Sequence, residues 1–190
     1  MKIELPIKQH RNFVPFEGVA IFVDTLSDRY SHVTNYETKE IAIGPKIILT
    51  RAAAEEALPT LLGMGVCVEE GRFQNHATRS KCGLITEAWI AKNELWIRGG
   101  IYGLDYPDVV SEIEENGQLG LCPAMRDMVV DPNTLPDVAS ILRVTFCGVA
   151  IMSNRNTGFA NTYVRLVDEG QVPEEDAQQY IATRLRVENQ

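Results

Sequence analysis

The sequence predicts an α+β domain, mostly an antiparallel β-barrel with helices around it, and three observations carry that reading. Short runs such as Val19–Val23, Glu40–Ile43 and Lys46–Leu49 stand between Gly, Pro and Asn punctuation, the pattern of strands. Gly83–Ile90 and Glu94–Gly99 both alternate apolar with polar residues across the short connection Ala91-Lys92-Asn93, which marks an antiparallel hairpin. Leu119–Val130 and Ala139–Met152 read as two long strands joined by the Pro132-Asn133-Thr134-Leu135-Pro136 turn.

The remaining elements follow from local chemistry. Thr50 can cap a helix that begins at Arg51, because its hydroxyl can accept from an unpaired first-turn amide. Ala53, Ala54 and Ala57 favour that helix, and Pro59 shortens or kinks it. Val66-Cys67-Val68 is a strand following Gly63 and Gly65. Asn93 in the hairpin connection suits left-handed backbone angles. A helix from Pro107 to Glu115 carries proline in its first turn and ends at Asn116-Gly117. A last helix opens at Pro173-Glu174-Glu175-Asp176 and carries Arg184 and Arg186 near its end, the polarity that the helix dipole favours. Residues 1–15 look peripheral, and Asp168-Glu169-Gly170 reads as a hinge. The expected division is a main domain over 1–167 and a helical extension over 168–190.

Length and composition bound the function. With 190 residues, 45% of them hydrophobic, the chain can bury one ordinary core. Its formal charge of −8, from 26 acidic and 18 basic side chains, argues against nucleic acid and anionic membranes as partners. The apolar runs are too short to span a bilayer as helices, and Met1–Pro6 lacks the features of a signal peptide, so the expected compartment is a cytosol. Cys67, Cys82, Cys122 and Cys147 are widely spaced, as buried thiols are in a reducing compartment. A zinc site from Cys67, His76 and Cys82 can be drawn, but its spacing is looser than metal ligands normally show. No metal or cofactor is expected.

Two residues could carry chemistry. His76 lies in the polar stretch Gly71–Lys81 that leads into the hairpin. There an imidazole could reach a neighbouring strand while its second nitrogen stays bonded. Taken alone, a histidine without a fixed partner reads as a surface residue. Cys122 lies in Gln118-Leu119-Gly120-Leu121-Cys122-Pro123, near the start of a strand, where an adjacent imidazole would generate a thiolate. Taken alone, it reads as a core thiol.

The order of parts resembles the tailed-phage prohead (capsid maturation) proteases, which share a fold with the herpesvirus assembly protease. The resemblance runs through Leu61–Gly65, Asn75-His76, Gly83–Ile90, Pro107–Val110, Leu119-Gly120-Leu121-Cys122 and Phe146-Cys147-Gly148-Val149-Ala150-Ile151. It spans about residues 15–165. It implies a herpesvirus-protease-like fold and an endopeptidase that cleaves scaffold and major capsid protein segments in an assembling procapsid in the host cytoplasm. A homodimer would follow by analogy with the herpesvirus relatives. The family's nucleophile is normally serine, and this chain has Cys122. The family's third residue, often acidic or histidine, falls in Arg143–Cys147, where Thr145 is the weak candidate. The implied chemistry has the Cys122 thiolate attack a peptide carbonyl while His76 takes the thiol proton and passes it to the leaving amine. Oxyanion donors would be backbone amides around Gly148 or Asn154-Arg155-Asn156. The alternative is a protease-fold protein without activity, serving a structural or binding role in capsid assembly.

Overall fold

The computed structural model describes residues 12–34, 41–68, 80–135 and 137–167. In chain order these form β1 (Phe13–Phe22), β2 (His32–Thr34), β3 (Ile41–Ile43), β4 (Lys46–Leu49) and α1 (Arg51–Ala57). A 3-10 turn (Leu58–Leu61), β5 (Gly65–Cys67), β6 (Lys81–Ala91), β7 (Glu94–Tyr102) and α2 (Pro107–Glu115) follow, then β8 (Leu119–Val130), β9 (Val138–Ser153) and β10 (Tyr163–Leu166). Eight strands make one sheet in the order β10-β1-β7-β6-β5-β9-β4, with β8 on the other edge of β9. β2 and β3 make a separate two-stranded ladder. Pairing is antiparallel except where β9 meets β4 and β5.

Among the described residues the fold is therefore α+β, with two short helices and a curled, open sheet. Among the described residues no ladder joins β8 to β10 or β1, so the expected barrel is not closed by hydrogen bonds. Side chains occupy that gap instead. Leu121 of β8 reaches β1 at Gly18, where an added Cβ would stand 2.8 Å from Leu121 Cδ1 and 2.1 Å from the Tyr163 carbonyl oxygen. The curl encloses a core that includes Phe16, Ile21, Leu95, Ile97, Leu121 and Phe146, each at most 1% exposed. Burial of this kind stabilises by roughly 25 cal/mol per Å² of apolar surface.

Most local expectations match the elements. The Thr50 side chain accepts from the Ala53 amide at 3.3 Å, and α1 passes into the 3-10 turn that contains Pro59. The 83–90/94–99 hairpin is β6–β7, α2 has Pro107 in its first turn, and the two long strands are β8 and β9. Two details differ. β1 begins at Phe13, six residues before the expected strand, because Phe13–Pro15 pair with Gly100–Tyr102. Phe13–Pro15 thus belong to the sheet, not to the periphery. At the hairpin tip Lys92, not Asn93, takes positive φ (53°). Tertiary partners hold that tip, since Arg51 donates to the Lys92 carbonyl and Val23 N–H to the Asn93 carbonyl. The helix expected after Pro173 and the whole 168–190 extension lie outside the described residues.

Candidate functional site

Alternation along β8 decides where Cys122 points. Leu119 and Leu121 turn into the core, so Gly120 and Cys122 face the opposite side of the strand. That side is covered by the turn after β9. Gly120 is required there, because a Cβ would lie 2.5 Å from Thr162 Oγ1. The turn is tied down internally and from β1's side of the molecule. Thr157 Oγ1 donates to the Phe159 carbonyl (2.7 Å) and Thr162 Oγ1 to Thr157 Oγ1 (3.1 Å). Arg29 Nη1 reaches the carbonyls of Asn154 (3.0 Å) and Thr157 (2.7 Å), and the Ala160 amide donates to Asp28 Oδ2 (2.8 Å).

Held this way, the turn directs the Gly158 amide at the Cys122 sulfur. Burial pushes the Cys122 thiol up from 9.0 to about 11, and the Gly158 amide pulls it partly back. A partner that brought it to neutrality would have to supply about 5 kcal/mol, at roughly 1.4 kcal/mol per pH unit.

Cys122 is one end of a cross-strand row. It stands opposite Ala150 of β9, Ala150 is beside Cys67 of β5, and Cys67 faces Lys81 of β6. Paired residues share a face, so two thiols and an ammonium lie along one line across four strands, with only the Ala150 methyl between the thiols. Two strand spacings separate Cys67 from Cys122, about 10 Å between Cα atoms. At the other end Lys81 Nζ contacts Cys67 Sγ at 3.0 Å. Gly148, two residues along β9, presents no side chain to this pair and has φ +151°, a backbone angle that glycine tolerates best. Cys82, the neighbour of Lys81, turns into the core and donates to the Val66 carbonyl (3.5 Å), on the opposite face from Cys67.

His76 lies outside the described residues, as do the other members of the polar stretch from 69 to 79. Its flanks are described: Val68 N–H donates to the Ser80 carbonyl at 3.2 Å, next to Cys67 and Lys81. Thr145 stands opposite Arg126, five positions along β9 from Ala150, the partner of Cys122. At about 3.3 Å per residue that is on the order of 16 Å along the strand. The register thus sets Thr145 apart from Cys122. Cys147 lies between them at a bulge and donates to the Ala124 carbonyl (3.4 Å). Among the described residues no group of three or more His, Cys, Asp and Glu side chains is arranged to hold a metal.

Sequence reading missed a second row on β10, β1, β7 and β6. Arg165, Glu17, Arg98 and Glu87 are cross-strand neighbours in that order. Glu17 is 1% exposed. It accepts from Arg98 Nη2 (2.7 Å) and Arg165 Nε (3.0 Å), while Arg98 Nη1 lies 3.9 Å from Glu87. Burial raises the Glu17 carboxyl, and hydrogen bonds from Arg98 and then Arg165 outweigh it, leaving it below its ordinary 4.5. Two residues along runs an aromatic row. Trp89 and Trp96 stack at 5.8 Å, and Tyr163 meets Trp96 edge-on at 5.7 Å. The available signal was a carboxylate in the middle of the apolar run Phe13–Phe22.

No family model matches the chain, and no curated protein matches it.

Proposed function

We propose that this chain is a prohead maturation endopeptidase with the herpesvirus-protease-like fold, using Cys122 as nucleophile and His76 as its base. The observation that carries the reading is the cross-strand row. It sets Cys122 two strands from the end of β5, where the chain enters the stretch containing His76. Chain connectivity supports it further, since His76 is five residues from Lys81, the far end of the same row. The order hairpin, α2, Leu119-Gly120-Leu121-Cys122 on β8, then Phe146–Ile151 on β9 also agrees with the family's order.

In this reading Cys122 attacks the peptide carbonyl, His76 shuttles the proton to the leaving amine, and water releases the acyl group. A cysteine needs a third residue less than a serine does, so the separation of Thr145 leaves the dyad intact. The partners are scaffold and major capsid proteins, with a homodimer as the assembly and the procapsid as the setting.

The test is iodoacetamide alkylation mapped to Cys122 across pH, with wild type against His76→Ala. A dyad gives a thiolate near neutral pH that His76→Ala removes, slowing alkylation at pH 7 by more than tenfold. Equal rates in the two proteins would reject it. Loss of self-cleavage in Cys122→Ala, read by intact mass, is the companion measurement.

The rise of Cys122 to about 11 favours a second reading, a protease-fold protein with a structural or binding role in capsid assembly. It expects Cys122 to alkylate only at alkaline pH, with or without His76.

A further inference from the structure

The four cysteines are chemically unequal, and the inequality singles out Cys67. Cys82 is fully buried, and burial together with the nearby Cys67 thiol pushes it up to about 12. Cys122 is pushed up to about 11. Burial disfavours the reactive thiolate at both, and at Cys122 only the His76 base of the protease reading would offset it. Cys147 donates to the Ala124 carbonyl (3.4 Å) and Cys67, more loosely, to the Gly65 carbonyl (3.9 Å), so what sets Cys67 apart is its lysine. Cys67 has the Lys81 ammonium on its sulfur at 3.0 Å, the arrangement of an electropositive thiol environment. The Cys67 residue is 4% exposed, Lys81 is exposed, and Gly148 puts no side chain over the pair. A Cβ there would stand 3.3 Å from the Gly65 carbonyl oxygen, 3.8 Å from Lys81 Nζ and 4.0 Å from Cys67 Sγ, and Lys81 is the exposed member of the pair.

We propose that Cys67 and Lys81 form a peroxide-responsive pair: hydrogen peroxide oxidises Cys67 to the sulfenic acid, and Lys81 Nζ then closes on that sulfur as a sulfenamide crosslink. In the first step sulfur attacks one peroxide oxygen and the O–O bond breaks. The departing hydroxide leaves as water with the thiol proton, sulfur losing two electrons and peroxide gaining them. In the second step the lysine, having released its extra proton to solvent, gives its nitrogen pair to sulfur. The S–N bond forms, the S–O bond breaks, and the hydroxyl leaves as water with a proton from nitrogen. The net change is one thiol, one amine and one peroxide giving the crosslink and two waters. Sulfenic acids condense with backbone nitrogen in the same way, and here a flexible side-chain nitrogen is already in contact. The link would join β5 to β6 beside the Val68–Ser80 hydrogen bond, across the base of residues 69–79. It stands on geometry independent of the protease reading.

The experiment treats the full chain with hydrogen peroxide, digests it without reductant using a protease that cuts at acidic residues, and sequences the products by mass spectrometry. The expected product joins the Cys67 peptide to the Lys81 peptide with loss of two hydrogens, about 2 Da, and dithiothreitol reverses it. In Lys81→Met that product disappears, and dimedone labels Cys67 severalfold more than in wild type. Dimedone-trapped Cys67 in wild type with no joined peptide would overturn the proposal. So would a Cys67–Cys82 disulfide in its place, or oxidation confined to other cysteines.

Discussion

Two cross-strand rows lie at opposite ends of one sheet, and they are built on opposite principles. The row Arg165–Glu17–Arg98–Glu87 alternates in charge, and its buried carboxylate is satisfied on both oxygens. The row Lys81–Cys67–Ala150–Cys122 has one close polar contact, and a bare methyl stands where a further partner would be. Both use the same register rule of strand pairing. The Glu17 carboxylate is fully paired and serves stability, although Arg98 Nε in the same row is buried without a hydrogen-bond partner among the described residues. The thiols of the other row rest on single weak contacts with neighbouring groups, Lys81 and the Gly65 carbonyl at Cys67 and the Gly158 amide at Cys122. The difference teaches that polar residues in a sheet are informative by how fully they are satisfied, and less by how many there are.

Substitutions can break that contrast, and the largest effect belongs to the charged row. Glu17→Gln leaves two guanidinium groups without their carboxylate. Removing one partner of a buried pair costs about 3–5 kcal/mol, and the solvent access of both arginines reduces this to roughly 2–3 kcal/mol, read by urea denaturation. The pH dependence should follow. The folded Glu17 carboxyl lies below its ordinary 4.5, so its contribution is complete above that value and is lost as pH falls through the folded one. Glu17→Gln should therefore flatten the acid limb of stability below about pH 4.5; an unchanged limb would show that the row is not the acid-sensitive element.

Ala150→Val fills the lane between the two thiols at a position with no exposure. Overpacking should cost about 1–3 kcal/mol and slow Cys122 alkylation, whereas an unaffected rate would mean that reagents reach Cys122 by another side. Arg29→Ala removes the guanidinium from the Asn154 and Thr157 carbonyls. A loss of about 1–2 kcal/mol is expected, together with a change in the alkylation pH profile of Cys122 as the Gly158 amide loosens. The smallest effect on stability is that of Lys81→Met, within about 0.5 kcal/mol, because the side chain is exposed. A thermal melt that falls by many degrees in this variant would make Lys81 a structural residue and erase the contrast between the rows.

The regular elements were legible because their signals are local. The β6–β7 hairpin, α2 between Pro107 and Asn116-Gly117, and the two long strands each carry their own periodicity or stop signal. Phe13–Pro15 was not legible as strand, because a proline and a nearby glutamate interrupt the apolar pattern and only pairing with Gly100–Tyr102 settles it. At the hairpin tip, Asn93 was the better intrinsic choice for positive φ, yet Lys92 adopts it under the hold of Arg51 and Val23. Of the candidate site, Cys122 could be singled out from its place in a familiar order of parts. The Cys67–Lys81 contact could not, since fourteen positions separate them and the spacing suggests nothing.

By itself the sequence determined the α+β class, the hairpin, the start of α1 and the bounds of α2, because these depend on residues close along the chain. Only the tertiary structure decided that the sheet stays open, that Glu17 is shared by two arginines, and that Lys81, Cys67, Ala150 and Cys122 fall in one line. The reason is register: strand order and a one-residue slip determine which distant side chains share a face, and neither is encoded within a short window of sequence.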